Sequence, residues 1–475
     1  MRTHSFDVIV IGAGSGGLNV ASFANRVGLR TLLIDRSDAH IGGDCLNTGC
    51  VPSKALIHVS RLVAEGARAA AFGPRLTGTV DFARVRAHVQ GVQKTIREHE
   101  NADYFRAQGM EVVLGEASFF DSKTVWVGAE SYTAKRIVIA TGSRPRKISF
   151  SNLDEVPVYT NETFFDAETL PADLLVVGGG PIGFELGQAS ARLGAKVTII
   201  THDDQWLAKE ERAQVAVVMA QMEREGVRFI PRATLVSVSG GKAYLSVDGE
   251  EFEVPCSGVL ASIGRAPNLE TLNLAAAGIE MTESGGLVLD RTLRTTNHRV
   301  YAVGDVVGQH QFTHAAEVHA ALVLKNFFVP RLFASSLDTD SMGWVTYTDP
   351  EIATFGLSKR TLTARGISYT ELTEPFSRSD RAITDGATEG LLTLYLAPRS
   401  GRILGGTMVG RSAGELVGEL MLAQRHRMTA RDLFARVYPY PTAARINRLA
   451  AGTFLARKLT GTFRRALRAL FALVG

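Results

Sequence analysis

The 475-residue chain predicts an α/β fold with two Rossmann-like dinucleotide-binding domains, and three observations carry that prediction. The apolar run DVIVI at residues 7–11 leads directly into GAGSGG and a helical segment. The same succession returns at 174–183 as LLVVGGGPIG. The length, finally, exceeds what one hydrophobic core organises, so several domains are expected. With 45% hydrophobic and 21% charged residues and 47 glycines, the composition is that of a soluble globular chain with many tight turns. A net charge of +4 with acids interspersed does not point to nucleic acid as a partner.

In the first unit, Gly12, Gly14 and Gly17 fit G-x-G-x-x-G between a strand and a helix. There they permit a tight turn, the approach of a pyrophosphate to the backbone, and close helix–strand packing. The next strand, TLLID, ends in Asp35, placed to accept hydrogen bonds from a ribose. In the second unit Gly178, Gly180 and Gly183 repeat the spacing, and the strand KVTII is followed by Thr201, His202, Asp203 and Asp204. Thr201 is neither the acid that suits an NAD ribose nor the arginine that suits a 2′-phosphate, so NADH and NADPH stay open. Two dinucleotide sites imply two dinucleotides and electron transfer between them. The start, MRTHSFDVIVIGAG, has no signal-peptide pattern, and no run reaches the length of a membrane span. A cytoplasmic location is expected, where a structural disulfide is unusual.

Two of the three cysteines, Cys45 and Cys50, lie in IGGDCLNTGCVPSKALI. A straight helix holds residues five apart at roughly 8–9 Å between Cα atoms, whereas a disulfide needs about 4.4–6.8 Å. A bridge would therefore require a bent segment, and Gly49 offers the freedom for it. Pro52 suits the first turn of the helix PSKALIHVSRLVAEG, and thiols at that end of a helix gain thiolate character. Two buried cysteines, or half of a zinc site, are the other readings; zinc needs further ligands at similar spacing and none follow, so no metal site is expected. Cys256, in VPCSGVLASIG, reads as a core thiol.

GGDCLNTGCVPSK resembles the redox-active segment of the flavin-dependent pyridine nucleotide–disulfide oxidoreductases, the family of glutathione reductase, dihydrolipoamide dehydrogenase and mercuric reductase. Family-like segments follow in order: IATGSRP at 139–145, ASIGRAPN at 261–268, VYAVGDV at 300–306 and YTDPEIATFG at 347–356. The resemblance implies FAD and NAD(P)H as cofactors and a homodimer. It implies cofactor contacts from Gly43, Thr141, Gly142, Gly264 and Arg265, with Asp305 on the flavin's ribityl chain. In it Cys50 is the thiolate that contacts the flavin, Cys45 is the interchange thiol, and Lys54 lies near the flavin N5, paired with Glu185.

The implied architecture is a FAD domain in two parts, residues 1–150 and 290–345, interrupted by an NAD(P) domain at 151–289. A C-terminal α/β dimerisation domain covers 346–456, and a basic tail covers 457–475. In that tail, Arg457, Lys458, Arg464, Arg465 and Arg468 accompany Phe463, Leu467, Leu470, Phe471 and Val474 at helical spacing. Such a helix can lie on an anionic membrane surface or pack at the protein's own dimer interface.

One departure directs the functional reading. Disulfide-reducing members of the family end with a segment like H-x-H-P-T-x-x-E, whose second histidine protonates a leaving thiolate. This chain has Tyr440 and Arg445 at the aligned positions, in VYPYPTAARINRLAAGTF. A phenol titrates near 10 and arginine stays a cation. His426 and His314 are the weak substitute candidates. Mercuric reductases also carry a tyrosine there, yet deliver metal through a C-terminal cysteine pair, and no cysteine follows Cys256. The expectation is a mercuric-reductase-like flavoenzyme passing electrons from NAD(P)H through Cys45–Cys50 to a small thiol-reactive, disulfide or metal-thiolate substrate. The alternatives are a quinone-type flavin reductase that does not use the thiols, and a redox-sensing flavoprotein that has lost reductase activity.

Overall fold

Runs of β-branched residues and leucine without polar alternation suit strands buried on both faces. In the computed structural model, which describes residues 3–474, strand Thr3–Ile11 lies between Thr31–Asp35 and Glu130–Ile139, all parallel, with Ile9 opposite Leu32 on one side and Ile137 on the other. Glu111–Leu114 extends one edge in parallel, and Val300–Ala302 runs parallel to the end of Glu130–Ile139. Thr124–Val127 and Ala117–Phe119 complete the seven-stranded sheet as an antiparallel ribbon. Ile9, Val10, Leu32, Leu33, Ile137 and Val138 are wholly excluded from solvent. Each such side chain stabilises the sheet by about 1.5–3 kcal/mol relative to exposure.

The second glycine motif heads a five-stranded parallel sheet, in the order Arg228–Ile230, Lys196–Ile200, Asp173–Val177, Gly258–Ala261 and Val158–Tyr159. A three-stranded antiparallel meander, Ala233–Ser239, Lys242–Val247 and Glu250–Pro255, accompanies it. Two short strands, Ser143–Pro145 and Arg265–Pro267, pair antiparallel with Arg265 opposite Pro145.

The chain divides into two compact units, Met1–Asp204 with Arg228–Leu337, and Gln205–Val227 with Asp338–Gly475. Segment 205–227, expected inside the 151–289 domain, thus groups with the C-terminal residues. Polar bonds hold it there: Gln214 Nε2 donates to Thr393 Oγ1 at 3.2 Å, and Glu210 accepts from Trp344 Nε1 at 2.6 Å and from Thr354 Oγ1 at 2.5 Å. The second unit is built on a five-stranded antiparallel sheet, ordered Gly343–Thr346, Glu351–Gly356, Ile403–Gly410, Leu391–Leu396, Thr370–Pro375. Helices Ala413–Arg425 and Arg445–Arg457 bury Val417, Leu420, Ile446, Ala450 and Phe454 in the core shared with that sheet. The tail forms a helix, Gly461–Val474, that buries no residue.

Candidate active site

The two glycine loops differ from ordinary turns in what surrounds them. Gly12 has φ +104°, and a Cβ there would collide with the Ala140 carbonyl; a Cβ on Gly17 would strike the Gly12 carbonyl, and one on Gly183 the Gly178 carbonyl. These glycines serve close packing. Gly180 faces the opposite condition, since a Cβ on it would meet nothing within 4 Å, and one on Gly14 would meet only Gly43 Cα, at 3.6 Å. Gly14 and Gly180 are the N-caps of the twelve-residue helices Ser15–Arg26 and Pro181–Arg192, and neither end receives a side-chain cap. Free first-turn amides and an open approach over a glycine are what a pyrophosphate requires, so both loops fit a dinucleotide.

The cysteine segment breaks where a straight helix would hold the sulfurs apart. A short helix, Gly43–Asn47, stops at Thr48, Gly49 takes φ −126° and ψ −112°, and a new helix, Cys50–Arg68, begins at once. A Cβ on Gly49 would lie 2.8 Å from the Asp44 carbonyl, so the reversal needs glycine. Pro52 falls in the first turn of the new helix and leaves no hydrogen bond unmade. The sulfurs are unbridged, the Cys45 thiol is hydrogen-bonded to Cys50, and Cys50 Sγ lies 3.2 Å from Thr313 Oγ1. One turn on, Lys54 Nζ meets the buried Glu185 carboxylate at 2.8 Å.

The two thiols are driven apart in acidity. The hydrogen bond from Cys45, then Thr313 and the charge of Lys54, pull Cys50 down to about 6 against the opposing effect of burial. Cys45 moves the other way, chiefly because it donates to Cys50 and partly through burial. Near neutral pH the pair is therefore a thiolate at Cys50 and a thiol at Cys45. Sequence reasoning missed Thr313, which begins helix Thr313–Phe327 and stands 263 residues from Cys50.

Other anticipated residues are placed as follows. Asp35 accepts from the Ala13 amide at 2.6 Å and the Arg36 amide at 2.7 Å, and burial raises its pKa. Thr141 Oγ1 donates to the Asn268 carbonyl at 2.7 Å, while Gly43 and Gly142 have φ +59° and +68°. Thr201 is buried after strand Lys196–Ile200, its hydroxyl 3.3 Å from Asp203 Oδ1. Asp305 Oδ2 accepts from Ser143 Oγ at 2.7 Å. Gly264 has φ +102°, and the neighbouring Arg265 directs its guanidinium into protein groups, Asp44, Ser143 and Asn161 among them. His314 stacks on Phe312 with ring centres 5.3 Å apart, and His426 is the exposed C-cap of helix Ala413–Arg425. Cys256 is a buried thiol bonded to the Gly258 carbonyl. In the second unit Tyr440 is 67% exposed, with the Arg445 guanidinium 5.1 Å above its ring. Among the described residues no group of three or more His, Cys, Asp or Glu could hold a metal ion, and no helix is long and apolar enough to cross a membrane.

Comparison with known proteins decides the family. The pyridine nucleotide-disulphide oxidoreductase family model matches residues 6–320, and its dimerisation domain matches residues 342–450. The chain belongs to the pyridine nucleotide-disulphide oxidoreductases. A mercuric reductase of Staphylococcus aureus is 30% identical over 458 residues, covering 95% of this chain and 83% of the relative. A dihydrolipoyl dehydrogenase of Geobacillus stearothermophilus is 31% identical over 452 residues, covering 93% and 94%. The fold matches the Cu(II) complex of the HOCl-induced flavoprotein disulfide reductase RclA from Escherichia coli, with a TM-score of 0.84, 23% identity, and coverage of 95% and 100%. As a member of this family the protein is an α/β oxidoreductase that uses FAD and NAD(P)H, and its C-terminal domain supports a homodimer.

Proposed function

We propose that this oxidoreductase passes electrons from NAD(P)H to the Cys45–Cys50 pair and on to a small thiol-reactive or metal-thiolate substrate. The single observation behind this reading is the acidified Cys50, hydrogen-bonded to Cys45 and one helical turn from the Lys54–Glu185 pair. FAD and NAD(P)H supply the hydride and two-electron chemistry when bound. Cys45, the protonated and more weakly acidic thiol, is the group that meets substrate. Closing the Cys45–Cys50 bond gives two electrons to the substrate and releases the proton of Cys45, since Cys50 is already a thiolate. Lys54 holds positive charge beside the thiolate, and Glu185 fixes its position.

Substrate class follows from what stands in place of a histidine. Tyr440 with Arg445 over its ring offers a hydroxyl donor and a permanent cation in place of the imidazole that protonates a leaving thiolate. A thiolate-bound metal needs no such proton, and the similarity to a mercuric reductase supports that class. The dihydrolipoyl dehydrogenase is as similar overall, so Tyr440 and Arg445 carry the distinction. The test is turnover of NADH and NADPH by the anaerobic holoenzyme with disulfides, mercuric thiolate and quinones, in wild type and Cys45→Ser. Loss of turnover in the variant is expected; undiminished turnover would mean that electrons leave without the thiols.

The tail supports a second element, contact with an anionic membrane surface. Helix Gly461–Val474 sets Phe463, Leu467, Leu470, Phe471 and Val474 against Arg464, Arg465 and Arg468, with every one of these residues exposed. Removing residues 457–475 should move the protein from the pellet of anionic liposomes to the supernatant. An unchanged partition would dispose of this element and leave the redox reading intact.

A further inference from the structure

Arg265 is nearly buried, with its side chain 12% exposed, and its guanidinium is shared among five protein groups of the first unit. Nη2 bonds the Asp44 carboxylate and donates to the Ser143 carbonyl at 2.8 Å. Nε donates to Ser143 Oγ at 2.7 Å and lies 3.7 Å from Asp305 Oδ2. Nη1 donates to Asn161 Oδ1 at 3.1 Å, and Asn161 Nδ2 in turn donates to the Thr48 carbonyl at 3.3 Å. Thr48 closes the circuit, its hydroxyl donating to Asp44 Oδ1 at 3.2 Å and its amide to the Asp44 carbonyl at 2.9 Å.

Asp44 directly precedes Cys45, and Thr48 lies two residues before Cys50. The brace therefore grips the short helix Gly43–Asn47, which carries Cys45, at Asp44 and at its C-cap Thr48, while Ser143 and Asp305 anchor it to the rest of the unit. A desolvated guanidinium bonded to carboxylate and amide oxygens in a fixed plane is a stiff connector. The helix Gly43–Asn47 is only 5 residues long and gives way at Thr48, so its own backbone bonds hold it weakly. Gln93 Nε2, donating to the Leu46 and Asn47 carbonyls at 3.0 and 2.8 Å, and the burial of Leu46 support those two residues, and the brace supports Asp44 and Thr48.

We propose that Arg265, with Asp44 and Asn161, forms a positioning brace that sets the redox poise of the Cys45–Cys50 pair by holding the turn between them in the geometry the disulfide requires. The proposal rests on the redox reading above and adds the residues that tune it. Closing the bridge from the Cys45 thiol and the Cys50 thiolate joins the two sulfurs with loss of two electrons and the one proton of Cys45. A turn already held in place gives up less freedom in that step, so the brace favours the disulfide. It also keeps Cys45 aimed at Cys50 in the reduced pair, which favours the Cys50 thiolate; that effect by itself opposes the disulfide, and in this proposal the ordering of the turn outweighs it.

The experiment compares wild-type holoenzyme with Asp44→Asn and Asn161→Ala, two changes that cut the brace at separate points. Each is equilibrated with a dithiothreitol redox buffer and the fraction of Cys45–Cys50 disulfide is read by mass spectrometry. Each is also reduced, and the pH dependence of Cys45 and Cys50 alkylation is followed. The equilibrium constant for disulfide formation is expected to fall at least tenfold in both variants, about 30 mV for a two-electron couple. The onset of Cys50 alkylation is expected to move to higher pH. Unchanged equilibrium and alkylation in both folded variants, or shifts in the opposite direction, would overturn the brace. A wild-type pair that never forms the disulfide would instead overturn the redox reading, and the alkylation profiles would still decide whether the brace orders the thiols.

Discussion

Replacing Cys45 separates its chemistry from its hydrogen bond. Cys45→Ser keeps a donor toward Cys50 and Cys45→Ala removes it; the hydrogen bond from Cys45 is the largest influence holding Cys50 at about 6. A hydrogen bond to a charged acceptor is worth about 1.5–3 kcal/mol. Because a thiol is a weak donor the lower end applies, and at about 1.4 kcal/mol per pKa unit that amounts to about one unit. The assay is the long-wavelength absorption that a Cys50 thiolate gives beside bound flavin in the oxidised holoenzyme, titrated against pH. The serine variant should titrate near 6 and the alanine variant about one unit higher. Coincident midpoints, or a lower one in the alanine variant, would refute the account of Cys50 acidity.

Further expectations concern the loops, the ion pair and a buried histidine. Gly180→Ala should fold normally yet weaken NAD(P)H binding in a fluorescence titration, because its Cβ enters open space, whereas Gly183→Ala should lower the unfolding midpoint because its Cβ meets the Gly178 carbonyl. Lys54→Met removes the 2.8 Å partner of buried Glu185; urea unfolding should show a loss of about 1–3 kcal/mol, and Cys50 should titrate higher as the lysine charge is lost. His319 is fully buried, its Nδ1 accepts the Gly304 amide at 3.3 Å, and burial lowers its pKa from 6.5 to about 4. The unfolded chain binds this proton between those values and the folded chain does not. Stability is thus whole above 6.5 and falls by about 3 kcal/mol as pH drops towards 4. Urea unfolding across that range should be less pH-dependent in His319→Gln.

Local pattern was enough wherever the physics is local. Unbroken apolar runs gave away the parallel strands, glycine spacing gave away the two dinucleotide loops, and the cysteine spacing pointed to Gly49 as the place for the bend that a bridge would require. Basic and apolar residues at helical spacing predicted the tail helix. Thr313 beside Cys50 was not legible, because a lone threonine at the head of a helix carries no signal of a contact 263 residues away. The same holds for Asn161, and for the bonds that Arg265 makes with Asp44, Ser143 and Asn161.

The placement of segment 205–227 shows the same limit, since chain order assigns it to the second dinucleotide domain and its partners lie beyond residue 338. By itself the sequence determined the family and the strand–glycine–helix units, and singled out the cysteine pair, for these are set by propensity, spacing and steric necessity within short stretches. The resemblance already named Cys50 as the thiolate; the tertiary structure alone supplied the contacts with Thr313 and Lys54 that acidify it, and what holds the turn beside it. Acidity and rigidity at that site come from hydrogen bonds and charges that meet only once distant segments have folded onto one another.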